Sequence, residues 1–166
     1  NFEKIVNFAF EHKIKLAVNP GIAQLSLPNF SEIACKIDLL ILNQEEASFL
    51  TKIPLNQEEE IFKKIDQMCP GIILMTKGSD GALVSDGKSR YFAKPHSERL
   101  VVDATGAGDS FASGFLSELM RSNNIEKAIQ LGMANSEGCL TQIGAKKGLL
   151  KKGAEFNPVE VKKEEI

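Results

Sequence analysis

The sequence predicts an α/β fold with a largely parallel sheet flanked by helices. Short apolar runs alternate with longer amphipathic segments, which is the pattern of βα units. The chain has 166 residues, enough for one domain with a sizeable core. Apolar residues make up 43% of it and charged residues 25%, both ordinary for a globular protein.

The first half of the chain contains three predicted strands, each apolar, with helical segments between them. The strands are "KIKLAVNP" (13–20), "DLLIL" (38–42) and "IILMT" (72–76). The helices are "FSEIACKI" (30–37), "QEEASFLT" (44–51) and "NQEEEIFKKIDQMC" (56–69). In the third helix, apolar residues recur at the spacing of one helical face, namely at Ile61, Phe62, Ile65 and Met68.

The second half begins with a predicted hairpin, "GALVSDGKSRYFA" (81–93), which turns at Asp86 and Gly87. The segment "ERLVVDAT" (98–105) is expected to be a strand that runs into a glycine-rich turn. Two helices follow, and the second, within residues 122–140, is expected to start at a cap formed by Asn123 or Asn124. The first helix has a stripe of Phe111, Phe115 and Leu119 beside Ala112, Leu116 and Met120.

The chain ends in a charged stretch. From Lys146 onward, charged residues are frequent, which predicts a solvated or partly disordered end. We therefore divide the chain into a domain over residues 1–150 and a charged tail over residues 151–166.

Charge, hydropathy and cysteine spacing exclude several classes of function. A net charge of −2 gives no basic face for nucleic acid. No apolar run approaches the ~20 residues of a membrane span. Three widely spaced cysteines, Cys35, Cys69 and Cys139, favour reduced thiols in a cytoplasmic protein. The two histidines, His12 and His96, are far apart in the sequence and are expected to have surface roles.

The stretch "DATGAGDSFASGF" (103–115) is the strongest candidate for chemistry. A glycine turn that opens a helix directs backbone N–H groups at an anion, and the helix dipole adds about half a positive charge. Gly106, Ala107 and Gly108 would hold a phosphoryl group, while Asp109 would accept a proton from the attacking alcohol. The alternative is an ordinary turn with Asp109 as a helix cap.

The longer run "VVDATGAGDSFASGF" (101–115) resembles the C-terminal signature of the ribokinase-like (PfkB) family of carbohydrate and nucleoside kinases. Ala104 departs slightly from the family pattern. The resemblance implies ATP-dependent transfer of a γ-phosphoryl group to a sugar hydroxyl, with Asp109 as base and the amides of residues 106–108 as the anion hole. The matching residues are Asp103, Thr105, Gly106, Ala107, Gly108, Asp109, Phe111 and Gly114.

The same resemblance implies a metal site at "NQEE" (43–46), where Asn43 and Glu46 would help to place Mg²⁺ largely through water. The pattern Asn-x-x-Glu occurs four more times in the chain and is also that of a helix cap. Only the set at Asn43 directly follows an apolar strand, at the end of a sheet where ligands bind in α/β folds.

The remaining expected contacts with ATP and a monovalent cation also come from the resemblance. In "TKGSDGA" (76–82), the nucleotide would contact Thr76, Gly78 and Gly81, although the segment is equally consistent with a strand-ending turn. In "ANSEGCLTQIGA" (134–145), the base would contact Asn135 and Gly138, with Thr141 and Gly144 as weaker candidates. K⁺ would be held by Asp103, Thr105 and the loop around Gly144, although Asp103 could equally cap its turn.

The resemblance covers only the C-terminal half of the family's usual fold. It implies that this half forms the nucleotide-binding and catalytic side. We therefore expect a longer intact protein or a complementing N-terminal half, and weak or no activity from this portion alone. A homodimer is a further expectation. Two other functions remain open: a nucleoside kinase of the adenosine type, and a noncatalytic nucleotide- or sugar-binding module.

Overall fold

The computed structural model describes residues 1–98 and 100–166. Its strands are β1 (Ala17–Val18), β2 (Leu39–Asn43), β3 (Ile72–Thr76), β4 (Ala82–Ser85), β5 (Ser89–Ala93) and β6 (Val161–Glu165). Its helices are α1 (Phe2–Glu11), α2 (Ile22–Leu25), α3 (Phe30–Ala34), α4 (Gln44–Thr51), α5 (Glu58–Met68), α6 (Ala107–Ser122) and α7 (Ile125–Leu140). A short 3₁₀ turn occupies Gly78–Asp80.

The strands form one sheet in chain order, from β1 to β6. Strands β1, β2 and β3 are parallel, and the register of the last two pairs Leu39 with Ile72 and Asn43 with Thr76. The hairpin of β4 and β5 turns at Asp86 and Gly87, as predicted, and makes the sheet mixed. The α/β class predicted from the sequence is confirmed.

The chain divides into two compact units. The first comprises Asn1–Thr76, Leu83–Arg90 and Glu164–Ile166, and the second comprises Lys77–Ala82 and Tyr91–Lys163.

The core of the first unit is apolar and surrounds β2 and β3. Leu40, Leu42 and Ile73 from the strands are fully buried and belong to one cluster with α5. The predicted helical face of α5 is confirmed at Ile61, Phe62 and Ile65, whereas Met68 is half-buried.

The second unit contains the close-packed pair of α6 and α7. A Cβ atom at Gly132 would lie 2.9 Å from the Phe111 carbonyl oxygen, so a side chain there would separate the two helices. Phe111 and Phe115 stack with their ring centroids 6.4 Å apart. Asn124 caps α7 by accepting from the Lys127 N–H, which decides between the two predicted caps.

The predicted strand at residues 98–105 is wrong. Residue 99 lies outside the described residues, and residues 100–105 are not in a strand. The backbone N–H groups of Val102 and Asp103 both donate to the carbonyl of Leu140 at the end of α7. These N–H groups are thus paired with a helix end and not with a neighbouring strand, and Leu100 and Val101 are exposed despite their apolar character.

Two further predictions need correction. Residues 161–165 of the charged end form β6, so partial disorder is wrong for them, whereas the solvated alternative agrees with the exposed residues 162–165. A strand is held by backbone hydrogen bonds, so its lysine and glutamate side chains can stay in solvent. On α6, Met120 of the predicted apolar stripe is 79% exposed while Glu118 is buried, so the stripe is not covered at that end of the helix. In the part of the chain that the structure describes, each helix is too short or too polar for a membrane span.

Candidate functional site

Helix α6 begins at a glycine in a left-handed conformation. Gly106 has φ of 79° and is the N-cap, and the Ser110 N–H donates to its carbonyl at 2.8 Å. A Cβ atom at this position would lie 2.5 Å from the Cβ of Ala145. Both the backbone angle and the contact therefore require glycine.

The first turn of α6 presents free donors beside a carboxylate. The Ala107 N–H donates to the Ala104 carbonyl within the turn. In the described part of the chain, the N–H groups of Gly108 and Asp109 have no protein acceptor, as expected for the first turn of a helix. Gly108 and Asp109 are both exposed, and a Cβ at Gly108 would meet no atom within 4 Å. The turn can therefore accept an anion next to an available base.

Asp103 joins the turn before α6 to the loop after α7. Its Oδ1 accepts from the Thr105 N–H at 2.9 Å, and its Oδ2 accepts from the Gly144 N–H at 2.9 Å. The backbone N–H of Thr105, followed by its hydroxyl and the Gly144 N–H, holds the pKa of the Asp103 carboxyl below its ordinary value. The carboxylate is thus charged and caps the turn, as the alternative interpretation expected.

Asn135 and Gly138, predicted near a bound base, have roles within the protein. Asn135 is buried, its Nδ2 donates to the Ser110 carbonyl at 2.7 Å, and its Oδ1 accepts from the Leu150 N–H at 2.9 Å. A Cβ at Gly138 would lie 2.3 Å from the carbonyl oxygen of Gly148. These residues fix α7 against α6 and the following loop.

In the first unit, Asn43 and Glu46 form a capping box at the start of α4. The Asn43 side chain accepts from the Glu46 N–H at 2.8 Å, and the Glu46 carboxylate accepts from the Asn43 N–H at 2.8 Å. Thr76 is the register partner of Asn43, so these predicted site residues lie at the carboxyl ends of adjacent strands.

The remaining predicted residues, Gly78 and Gly81, belong to the second unit: Gly78 begins the 3₁₀ turn and Gly81 directly follows it. The Lys77 N–H donates to the Gly81 carbonyl at 2.7 Å and closes this loop. Gly81 has φ of 97°, and a Cβ there would lie 2.0 Å from the Ala93 carbonyl oxygen. The loop therefore has a tight conformation that only glycine allows.

The sequence did not indicate one polar pair in the second unit. The His96 backbone N–H donates to Glu137 at 2.7 Å, and His96 Nδ1 lies 2.8 Å from the other carboxylate oxygen. His96 was expected to have a surface role, whereas its side chain is half-buried and pairs with Glu137 of α7. The two residues are 41 positions apart, so no local pattern could have joined them.

Comparison with known proteins decides the family. The profile of the pfkB family carbohydrate kinases matches residues 1–152. The chain belongs to the pfkB family. The signature that resembled this family, at residues 101–115, contains the exposed Asp109 and the left-handed Gly106 described above.

Similar members of the pfkB family include kinases for different acceptors. The chain is 34% identical over 115 residues to the ATP-dependent 6-phosphofructokinase of Thermoanaerobacterium thermosaccharolyticum, which covers 68% of this chain and 34% of the relative. It is 29% identical over 151 residues to the ribokinase of Haemophilus influenzae, and the match covers 89% of this chain and 48% of that relative. The chain thus spans half or less of the length of these relatives.

Solved pfkB-type structures share the fold. A probable sugar kinase from Rhizobium etli superposes with a TM-score of 0.76 at 27% identity, over 88% of this chain and 45% of that one. The ribokinase of Arabidopsis thaliana, solved with ribose and ATP, superposes with a TM-score of 0.75 at 23% identity. The match covers 87% of this chain and 47% of that chain. The second likeness shows the fold alone.

Proposed function

We propose that this chain is the nucleotide-binding and catalytic portion of an ATP-dependent kinase that transfers the γ-phosphoryl group to a hydroxyl of a sugar. The observation that carries the proposal is the exposed carboxylate of Asp109 beside free backbone N–H groups at the first turn of α6. The family and the sugar kinases among its relatives support it.

Asp109 is the proposed general base. It would accept the proton of the substrate hydroxyl as the oxygen attacks phosphorus, and such a base contributes about 10²–10⁴-fold to the rate. The N–H of Gly108 would donate to the phosphoryl oxygens, where negative charge is high throughout the transfer. The open space at Gly108 lets the backbone approach that group closely.

The residues at the start of α4 fit Mg²⁺ held through water. One carboxylate oxygen of Glu46 caps the Asn43 N–H, which leaves the other oxygen for a water of the ion. Mg²⁺ keeps several waters and needs few carboxylates, and the described residues contain no cluster of three His, Cys, Asp or Glu that would bind it directly. When bound, Mg²⁺ would neutralise phosphate charge.

The proposal assigns K⁺ to Asp103, Thr105 and the loop at Gly144, where the low pKa of the Asp103 carboxyl keeps a negative charge. For ATP, it assigns the phosphates and ribose to Thr76, Gly78 and Gly81. The base would lie near α7 around Asn135 and Gly138. Because both amide atoms of Asn135 already bond within the protein, that residue would hold the helix in place.

A nucleoside acceptor is the second candidate. The observation that favours it is the 30% identity over 114 residues to the cytidine kinase of Thermococcus kodakarensis, which covers 68% of this chain and 40% of that relative. A panel of sugars and nucleosides, scored by ADP release from the complete protein, distinguishes the two acceptors. ATP binding with no turnover on any acceptor would instead support the noncatalytic binding module.

The decisive experiment replaces Asp109 with Asn in the complete protein. We expect nearly unchanged ATP binding and a decrease in kcat of about 10²–10⁴-fold. Glu126→Gln is the matched control, because Glu126 is an exposed acid in the first turn of α7 and its loss removes the same helix-dipole contact. If Asp109→Asn retains wild-type turnover, Asp109 is not the base.

A further inference from the structure

We propose that a cavity in the second unit, formed by α6, α7 and residues 149–156, binds a phosphorylated polyol, that is, a small molecule with both hydroxyl groups and a phosphate. The cavity has a volume of about 720 Å³, within the ~300–1,000 Å³ range of small-molecule sites. Its lining begins at Ser113 of α6, beyond the turn that contains Asp109. This inference does not depend on phosphoryl transfer at Asp109.

The wall formed by residues 149–156 is fixed at both ends. At one end, the Leu150 N–H donates to Asn135 Oδ1 at 2.9 Å, and at the other, Gln130 Nε2 donates to the Val159 carbonyl at 3.3 Å. Between these anchors, the Ala154 N–H closes a turn on the Lys151 carbonyl at 2.9 Å. The cavity is therefore bounded by a tethered segment.

A buried carboxylate lies in this cavity. Glu118 is 4% exposed, although Met120, two positions further on, is exposed and apolar. The Glu118 carboxylate bonds to the guanidinium of Arg121 through a single oxygen, with Nε at 2.9 Å. Within the described residues, its second oxygen accepts no hydrogen bond from the protein and is not sealed from solvent. Burying a carboxylate costs several kcal/mol, which the pairing of Glu118 with Arg121 offsets. The second oxygen of Glu118 is open to the cavity and can accept a hydrogen bond from a hydroxyl group of a ligand.

The rim of the cavity is cationic. Lys151 and Lys152 are exposed neighbours on the turn, and within the described part of the chain neither forms an ion pair. Since Glu118 already neutralises Arg121, the residues that line the cavity carry a net charge of +2 from the two lysines. Glu155 belongs to the same segment but does not line the cavity. Adjacent ammonium groups match a dianionic phosphate.

The two features together define the ligand. Hydroxyl groups donate to the free oxygen of Glu118, and a phosphate on the same molecule reaches Lys151 and Lys152. Leu131 and Phe156 supply apolar walls for the carbon skeleton. Glu118 lies nine residues beyond Asp109 on α6, about 14 Å along the helix axis, so this site is separate from the proposed catalytic turn. It shares Asn135 with the region proposed for the ATP base, whereas Gly138 of that region does not line the cavity.

The test follows backbone amide resonances of the complete protein by NMR during titration with glucose 6-phosphate, glucose and inorganic phosphate. We expect saturable shifts at Ser117 and residues 151–154 with glucose 6-phosphate, and weaker binding of either component alone. Shifts at residues 106–109 report separately on the proposed kinase site, so failure of one assignment is distinguishable from failure of the other.

Two variants locate the contacts. The double variant Lys151→Ala/Lys152→Ala should weaken glucose 6-phosphate binding about tenfold or more. Lys146→Ala/Lys147→Ala is its matched control, because it removes the same charge from the residues just before that segment and these side chains do not line the cavity. Glu118→Gln should weaken binding of glucose 6-phosphate and leave that of inorganic phosphate unchanged.

If Glu118→Gln fails to fold, the lysine pair decides. The proposal is overturned if glucose 6-phosphate causes no saturable shift at residues 151–154, or if the control weakens binding as much as the double variant. Shifts of the same amides by free amino acids in place of glucose 6-phosphate would also overturn it, because a zwitterion would then be the ligand.

Discussion

Gly106 and Ala145 are in contact so close that a Cβ atom on Gly106 would lie 2.5 Å from the Cβ of Ala145. The turn that opens α6 is thereby packed directly against the loop that follows α7. Asp103 connects the same two segments through its hydrogen bond with Gly144. The geometry of the candidate catalytic turn therefore depends on a loop almost forty residues further along the chain.

Gly106→Ala should lower the free energy of unfolding by roughly 2 kcal/mol or more. A side chain at this left-handed position costs about 1–2 kcal/mol of backbone strain. The new methyl group also overpacks the contact with Ala145. Chemical denaturation of the variant and the wild type measures the difference. Equal stability would show that the loop at Ala145 moves away without cost.

Gly108→Ala separates binding from stability, because Gly108 has no positive φ and open space at its Cβ position. We expect unchanged or slightly greater stability, since alanine favours the helix by about 0.5–1 kcal/mol. The methyl group should hinder approach of a phosphoryl group, so ATP-dependent turnover should fall. Undiminished turnover would count against the anion hole at this residue.

Asp103→Asn should lower the melting temperature at neutral pH, because the amide cannot accept from both Thr105 and Gly144. The pKa of the Asp103 carboxyl is depressed in the folded state, so its stabilisation is complete above the unfolded pKa of about 4. It is lost as pH falls through the lower folded pKa.

The difference in stability between wild type and Asp103→Asn should therefore disappear in strong acid. Denaturation curves from about pH 7 to about pH 2 test this. Asp80→Asn, at an exposed aspartate of the same unit, is the control and should change stability little. A constant difference over the whole pH range would contradict the assignment.

Asn43 and Glu46 allow the capping role and the metal role to be separated. Asn43→Ala removes the cap of α4 and should cost about 1 kcal/mol of stability. Glu46→Gln keeps an oxygen acceptor for the Asn43 N–H, so its stability should be close to that of the wild type. Its requirement for Mg²⁺ should nevertheless rise about tenfold, measured as the half-saturating concentration for turnover. An unchanged requirement would leave Glu46 with the capping role alone.

Cys35 and Cys69 should differ strongly in reactivity. Burial, as the largest cause, raises the pKa of the Cys69 thiol to about 11, whereas Cys35 is exposed. Near pH 8, an alkylating reagent should label Cys35 in the folded protein and reach Cys69 only after denaturation. Peptide mass spectrometry measures the labelled fractions, and fast labelling of native Cys69 would indicate local opening.

The sequence by itself determined the features that depend on neighbours in the chain. Helix α4 and strand β3 begin and end where their apolar pattern predicted, and the cap of α4 joins residues three positions apart. The hairpin at Asp86 and Gly87 is equally local. In each case, backbone propensity and short-range hydrogen bonds suffice to specify the structure.

Tertiary structure alone decided the features that need a distant partner. Residues 100–105 do not form the predicted strand: the N–H groups of Val102 and Asp103 donate to Leu140. The Asp103 carboxylate accepts from the N–H of Gly144, 41 positions away. Glu118 faces inward and Met120 outward, against the helical stripe, because α7 and residues 149–156 define which side of α6 is covered. Apolar periodicity predicts which face of a helix is buried on average. The partner of a single polar group depends on packing between segments that are far apart in the sequence, so periodicity does not predict it.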